Sequence, residues 1–328
     1  MRLVEPGSAF PDAVRGTAVT VGTFDGVHRG HQDVLAQLVQ CARGVALPSV
    51  LVTFEPHPLE VLNPAAAPLL LTTREEKLTA LASTGLDYVA ILPFTPALAA
   101  QSADAFVDVG LLGTFRMRHL LIGHDHGFGR GREGDVETLR VLGASRGFGV
   151  QVVAPVQTVG GDAISSSFIR RAIAAGELAE AAAALGRDYS VRGTVVPGDA
   201  RGRTLGFRTL NIRPDSPRKL LPPDGVYTVA VDTPRGRFGG MLNLGACPTF
   251  DDDRRTIEAH LFDTDGDYYG DVVQVAVLGR LRDTMRFDSP AALMSQLTDD
   301  ERAARRALTA LGDAGNLNGS TPAPSSTP

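Results

Sequence analysis

The chain has 328 residues, 43% hydrophobic and 21% charged, with a formal net charge of −5. That length exceeds one small core and suits two domains, and the acidic balance speaks against a nucleic-acid partner, which needs a basic face. Small phosphorylated ligands remain open, because a local cluster of arginines is enough to hold them. No apolar run approaches the roughly 20 residues of a membrane helix, so no membrane partner is expected. Met1 to Phe10 lack a basic end followed by an apolar stretch, so no signal peptide is expected. Cys41 and Cys247 stand far apart and form no zinc-like or redox pair. They read as inert thiols of a cytoplasmic protein.

In chain order, Thr17–Val21, Ser49–Phe54, Tyr88–Leu92, His119–Gly123 and Gln151–Ala154 read as buried strands. Between the first two, Val34, Leu35, Leu38 and Val39 share one helical face. A second helix starts near Thr72, where Thr73 and Glu76 have the spacing of a capping box. Strand–helix alternation predicts a parallel sheet covered on both faces, with ligands beyond the carboxyl ends of its strands. An alanine-rich helix over Ala172–Leu185 ends at Gly186. The pattern then becomes strands and turns: Ser190–Val196, Val226–Val231, Phe238–Leu244, Thr256–Phe262 and Val272–Leu278. Strands at this spacing predict a small antiparallel barrel. A last helix is predicted with Ser289 as N-cap, Pro290 at its first position, and a stripe of Leu293, Leu297, Ala304, Leu308 and Leu311. From Gly315 the composition predicts a disordered tail.

The sharpest signal follows the first strand: Gly22-Thr23-Phe24-Asp25-Gly26-Val27-His28-Arg29-Gly30-His31. Glycines there allow tight turns and close approach of a ligand to the backbone. A helix opening near Gly30 points free N–H groups and a positive dipole end at an anion. His28 and His31 then lie on one side of the turn, placed to touch one phosphate. Such a cradle suits nucleotidyl transfer, where an anionic phosphate attacks the α-phosphate of ATP. The protein's task is to neutralise the charge that builds there and on the leaving pyrophosphate.

The H-x-G-H spacing resembles that of adenylyl- and cytidylyltransferases, and the longer string resembles the opening motif of bifunctional riboflavin kinase/FAD synthetases. Three further segments are similar to that family. Thr53-Phe54-Glu55-Pro56-His57-Pro58 resembles a second nucleotide loop. Ile122 to Asp135 resembles the flavin- and nucleotide-side loop, with Asp125 in its polar position and Phe128 beside it. Ile164-Ser165-Ser166-Ser167-Phe168-Ile169-Arg170 resembles I-S-S-T-x-I-R, whose hydroxyls and arginine make a second phosphate clamp. Ser167 stands here for threonine, His126 for an aromatic residue, and Phe168 where a polar residue is common.

The second half contains Gly193 to Asn211 without the G-K-[ST] of a Walker loop. From the residues alone, a glycine turn before a strand is the default reading. The stretch nevertheless resembles the riboflavin-kinase element G-x-x-x-G-R-x-L-G-F-P-T-x-N. The resemblance implies that Gly202 and Arg203 cover ATP phosphates, and that Thr209 and Asn211 hold Mg2+ from one side of an extended segment. Leu221–Tyr227, Leu244–Phe250 and Thr256–Asp263 resemble the family's next segments, with Glu258 as general base. Arg208 replaces the family's proline, and altered ATP affinity is expected from it.

The resemblance therefore implies an α/β nucleotidyltransferase-type parallel sheet domain at 1–185 and a small antiparallel β-barrel domain with a C-terminal helix at 186–312. A disordered tail occupies 313–328. The implied activities are ATP-dependent phosphorylation of riboflavin to FMN and adenylylation of FMN to FAD, with His28, His31 and Glu258 as catalytic residues. Gly22, Phe24, Asp25, Gly30, Ser165, Ser166, Ser167 and Arg170 are expected at phosphates, and His57, Asp125 and Phe128 on the flavin side. Two alternatives stand beside this. The first motif alone permits a transferase acting on a pantetheine or nicotinate compound, which the kinase half argues against. A flavin- or nucleotide-binding protein without catalysis is the other. Oligomeric state is not legible.

Overall fold

The computed structural model describes residues 1–124, 127–198, 207–246 and 255–314. Asp125, His126, Gly202, Arg203, Cys247 and the tail from Gly315, all named above, lie outside the described residues. Two compact units divide the chain. The first comprises Met1–Arg170, Ala184–Gly186 and Arg218–Leu220, and the second Arg171–Ala183, Arg187–Pro217 and the chain from Leu221 onward.

In the first unit, strands β1 (Arg2–Val4), β2 (Thr17–Val21), β3 (Ser49–Glu55), β4 (Tyr88–Pro93), β5 (Met117–Gly123) and β6 (Gly149–Val153) form one sheet. Their order is β1-β4-β3-β2-β5-β6 and every pairing is parallel. Five of these strands were expected. The edge strand β1 was not, because Arg2-Leu3-Val4 is too short to show a period and acquires its role only by pairing with Tyr88–Ala90. Successive side chains alternate between faces. Val19, Val21, Val50, Val52, Leu120 and Ile122 enter one core, while Ala18, Leu51, Val89 and Leu121 enter the other. Helix α1 (Arg29–Gly44) covers the second face through Leu35, Leu38 and Val39. After the short α2 (Pro58–Leu62), α3 (Arg74–Ala82) adds Leu81 to the same face. On the opposite side lie α4 (Pro96–Ala99), α5 (Ala103–Ala105), a π-helical stretch Phe106–Thr114, and α6 (Val136–Arg146). Phe106, Leu111, Leu139 and Leu142 fill that core. The strand order switches between β2 and β5, which is where a doubly wound sheet leaves a crevice at its carboxyl edge.

The capping box predicted at Thr73 and Glu76 is present on α3. The single helix expected over Ala172–Leu185 is instead two, α7 (Ser166–Ala175) and α8 (Leu178–Leu185). Gly176, at φ +80°, takes the left-handed turn that ends the first.

The second unit holds a closed antiparallel barrel. Its strands are β7 (Tyr189–Val196), β8 (Leu210–Pro214), β9 (Gly225–Thr233), β10 (Gly236–Ala246), β11 (Arg255–Leu261) and β12 (Val272–Arg282). They close in the order β10-β11-β8-β7-β12-β9. Helix α9 (Pro290–Ala314) packs Ala304, Leu297 and Leu308 with Met241, Phe262 and Phe207. Ser289 Oγ accepts the Ala292 N–H, as expected of its N-cap. Asp300 is buried and receives the guanidinium of Arg282 at 2.7 Å. Leu311, expected in the apolar stripe, is exposed at the far end of the helix.

Candidate active site

Strand β2 runs into a loop whose backbone is unusual: Phe24 (φ +46°) and Val27 (φ +40°) are left-handed without being glycine, and Gly26 lies at φ +84°. Such conformations persist only where surroundings over-determine them. Asp25 supplies that constraint. Its side chain is buried; Oδ2 accepts the Leu71 N–H at 3.0 Å, and Oδ1 accepts the Thr72 N–H at 2.9 Å and the Thr72 hydroxyl at 3.1 Å. Arg170 Nη2 pairs with Oδ2, and Ser166 Oγ donates to the Asp25 carbonyl at 2.8 Å. The Gly26 N–H donates back to Thr72 Oγ1 at 3.0 Å.

Several residues expected at phosphates take part in this network. Asp25 and Arg170 are engaged with each other, and Arg170 Nε also donates to the Leu69 carbonyl at 2.8 Å. In this structure they brace the loop, where phosphate contacts had been expected. Ser166 joins that brace, Ser165 Oγ caps the helix by accepting the Phe168 N–H at 3.2 Å, and Ser167 is exposed. Phe168, in a position expected to be polar, is buried.

The two histidines meet as expected. His28 is the N-cap of α1, its Nδ1 accepting the His31 N–H at 3.3 Å. With Nδ1 accepting, Nε2 is the nitrogen of this ring left to donate. The two imidazoles stack with centroids 3.6 Å apart, and Phe24 covers the other side of His31 at 4.5 Å. His31 Nδ1 is buried without a hydrogen-bond partner among the described residues. Burial, then His28 and Lys77, hold its pKa well below the ordinary 6.5, so the ring is neutral at pH 7. Gly30 is closely packed: a Cβ there would lie 3.2 Å from the His28 ring and 3.3 Å from the Ile164 carbonyl, so a neighbour would have to shift. The H-x-G-H turn and the serine loop are therefore adjacent. Gln32 Nε2 ties the end of the turn to the Val27 and Leu185 carbonyls at 2.8 and 2.9 Å.

His57 caps α2, with Nδ1 accepting the Leu59 N–H at 3.2 Å and its own N–H donating to Glu60. Desolvation lowers its pKa, with Asp25 the largest opposing charge. Lys77, one turn into α3, was missed by the sequence reading. Its Nζ donates to the Thr23 carbonyl at 2.9 Å, and desolvation lowers its pKa against the pull of Asp25 and Glu55. A lysine one turn after a capping box is common on any helix, so its spacing carried no signal.

Beyond these groups opens a cavity of about 640 Å³ at the carboxyl ends of β2, β3, β4 and β5, lined by Gly22, Thr23, Phe24, His31 and Gly123 on one side. Phe54, Phe94, Phe106 and Phe128 form its aromatic wall. Phe106 meets Phe128 edge-on at 5.2 Å, and Phe54 meets Phe94 edge-on at 5.5 Å. Of these four, Phe128 was expected on the flavin side and Phe54 stood in the second nucleotide-loop motif, while Phe94 and Phe106 were not singled out in sequence. The volume is typical of sites for a drug-sized molecule.

In the second unit, β8 and β11 place Asn211 directly opposite Glu258. Directly opposed residues share a face. Ile257, Ala259 and Leu261 point into the barrel, so Glu258 and Asn211 face outward. Glu258 is flanked on its other side by Asn243 of β10. Thr209 precedes β8 by one residue and is half-buried. A Cβ on Gly198 would lie 2.0 Å from Asn211 Nδ2, so the chain leaving β7 passes hard against that amide. Gly198 also escaped the sequence reading. The Arg208 carbonyl, where the family has proline, accepts from His260 Nδ1 at 2.7 Å. Among the described residues, no group of three His, Cys, Asp or Glu side chains is placed to hold a metal ion, and no helix is long and apolar enough to cross a membrane.

Comparison with known proteins follows this division. The FAD synthetase family model matches residues 11–168 and the riboflavin kinase family model matches residues 185–308. A protein of Escherichia coli K12 named bifunctional riboflavin kinase/FMN adenylyltransferase is 39% identical over 293 residues, covering 88% of this chain and 92% of that one. One of the same name from Listeria monocytogenes is 37% identical, covering 90% and 93%. A Streptococcus pneumoniae structure described as a macrolide-efflux protein superposes with a TM-score of 0.79 at 34% identity, covering 88% of this chain and 94% of that one.

Proposed function

This chain belongs to the bifunctional riboflavin kinase/FMN adenylyltransferase family, and we propose a specific division of its two reactions among the residues described above. It phosphorylates riboflavin with ATP and adenylylates FMN to FAD. The adenylyl-transfer site is the cradle of the first unit. The observation that carries this assignment is the buried, partnerless Nδ1 of His31 beneath a cavity walled by phenylalanines. A neutral imidazole there offers polarity to a phosphate without the desolvation cost of a buried cation. The aromatic wall suits the flat isoalloxazine ring of FMN.

In the first unit, an FMN phosphate oxygen attacks the α-phosphorus of ATP. The new P–O bond forms as the bond to the β-phosphate breaks and pyrophosphate leaves. Lys77 and the amides opening α1 offset charge that grows on the transferred and leaving groups, and the imidazoles of His28 and His31 offer hydrogen bonds to it. In the second unit, the riboflavin 5′-hydroxyl attacks the γ-phosphorus of ATP, Glu258 takes its proton, and ADP leaves. Thr209 and Asn211 supply hard oxygen donors of the kind that suits Mg2+, leaving Glu258 to act as the base. When bound there, the ion would neutralise negative charge on the ATP phosphates. Both reactions use the small molecules riboflavin, FMN and ATP, and we place them in the cytoplasm, where ATP is made.

The test is a product assay with riboflavin, ATP and magnesium, separating FMN from FAD. FMN followed by FAD is expected. Glu258→Gln should abolish FMN formation while FAD still forms from supplied FMN. A Glu258→Gln variant that phosphorylates riboflavin at the wild-type rate would remove Glu258 from the mechanism. Failure of the wild-type chain to make either product would favour the binding-protein alternative.

A further inference from the structure

Arg218, Lys219 and Leu220 follow β8 in the chain and lie inside the stretch matched by the riboflavin kinase family model, yet they belong to the first compact unit. There Lys219 bridges Leu70 in parallel. The Leu70 N–H donates to the Arg218 carbonyl at 2.8 Å, and the Leu220 N–H donates to the Leu70 carbonyl at 2.9 Å. Lys219 is buried, with a side chain only 1% exposed. Its Nζ donates to the Leu71 carbonyl and to Glu76 Oε2, each at 2.6 Å. Glu76 is buried as well, and the same Oε2 accepts the Thr73 N–H at 2.8 Å. Arg218 Nη2 donates to the carbonyls of Ala67 at 3.1 Å and Pro68 at 2.8 Å, and its Nε lies 3.2 Å from Glu60 Oε2. Glu60 is the residue that closes the His57 cap.

A lysine enclosed to this extent is rare unless paired and fully hydrogen-bonded. The side-chain contacts of these two basic residues given above land on one segment, residues 60–76. That segment presents the Leu71 and Thr72 amides to Asp25 and the Leu69 carbonyl to Arg170; His57 lies just before it, and Lys77, which reaches the Thr23 carbonyl, just after it. Lys219 grips the carbonyl of Leu71, whose amide grips Asp25, and Asp25 holds the left-handed turn before His28. The path from Lys219 to the histidine pair is thus an unbroken series of hydrogen bonds and one short loop.

We propose that Lys219, seconded by Arg218, is a positioning residue for FMN adenylyl transfer. It acts through Leu71 and Asp25 and is drawn from the part of the sequence that matches the kinase. This rests on the assignment of adenylyl transfer to the first unit. The consequence is that the adenylyl-transfer site is not contained in the stretch that matches the FAD synthetase family model.

The experiment uses the full chain with Lys219→Met and, separately, Lys219→Met with Glu76→Gln, the second removing both buried charges together. In both, kcat for FAD formation from supplied FMN should fall at least about tenfold, as expected when a charged hydrogen bond is lost. Riboflavin phosphorylation on the same sample should be unchanged. Hydrogen exchange should be faster at Leu71 and Thr72 but not in β2 or β3. A structural charge pair alone would be relieved in the double variant, so recovery of wild-type FAD formation there would overturn the proposal. So would a folded Lys219→Met variant whose kcat and KM for FAD formation match the wild type. A wild-type chain that phosphorylates riboflavin but makes no FAD from FMN would overturn the underlying assignment instead.

Discussion

Replacing Asp25 by asparagine tests the brace beneath the histidine pair. The carboxylate accepts two backbone N–H groups, one hydroxyl and the Arg170 guanidinium. Asparagine fills the same space but keeps one acceptor oxygen, and its amino group meets a donor whichever way the amide turns. A hydrogen bond to a charged group is worth about 1.5–3 kcal/mol, and leaving the partly exposed Arg170 guanidinium without its counter-charge costs less than the roughly 3–5 kcal/mol of a fully buried pair. Against this, the left-handed backbones of Phe24 and Val27 store about 1–3 kcal/mol each that unlocking the loop would release. The loop should therefore rearrange, and a penalty of about 3 kcal/mol corresponds to a drop of roughly 100-fold in FAD formation. The assay is conversion of FMN to FAD, with riboflavin phosphorylation on the same sample as internal control. Adding Arg170→Met should cost less than it does alone, because the two residues share one interaction. FAD formation by Asp25→Asn at the wild-type rate, with unchanged KM for ATP and FMN, would refute the brace.

Three other perturbations follow from the geometry. His31 and His57 both have pKa values lowered by burial from the ordinary 6.5. As pH falls below that value, the unfolded chain takes up protons that the folded chain refuses, so the first unit should lose stability. Calorimetry between pH 7 and pH 5 should show this fall reduced in His31→Asn, and an unchanged slope would contradict the buried neutral ring. Lys77→Met should raise the KM for ATP in FAD formation about tenfold or more, the scale of a lost charge-assisted contact; unchanged ATP dependence would remove Lys77 from the phosphate site. Gly198→Ala places a Cβ 2.0 Å from Asn211 Nδ2, so riboflavin phosphorylation should collapse while FAD formation from FMN persists. Normal phosphorylation would mean that Asn211 can move without consequence.

Much of this protein was legible in one dimension because its cause is local. The H-x-G-H turn, the Thr73–Glu76 capping box, the Ser289 cap and the doubly buried strands each depend on residues a few positions apart. Hydrogen-bond reach and side-chain period therefore write them into the sequence. Recognition of the family's strings supplied Glu258, Asn211 and Thr209, which no spacing alone would have joined. The tertiary structure decided how the polar groups are used. Asp25 and Arg170 are both acceptable phosphate-loop residues by type, yet they meet each other across 145 positions and leave the cavity to His31 and Phe24. The aromatic wall gathers Phe54, Phe94, Phe106 and Phe128 from four separate segments, and Lys219 joins Glu76 across 143 positions. A buried charge must find its partner wherever the fold delivers one, and sequence separation carries no record of where that will be.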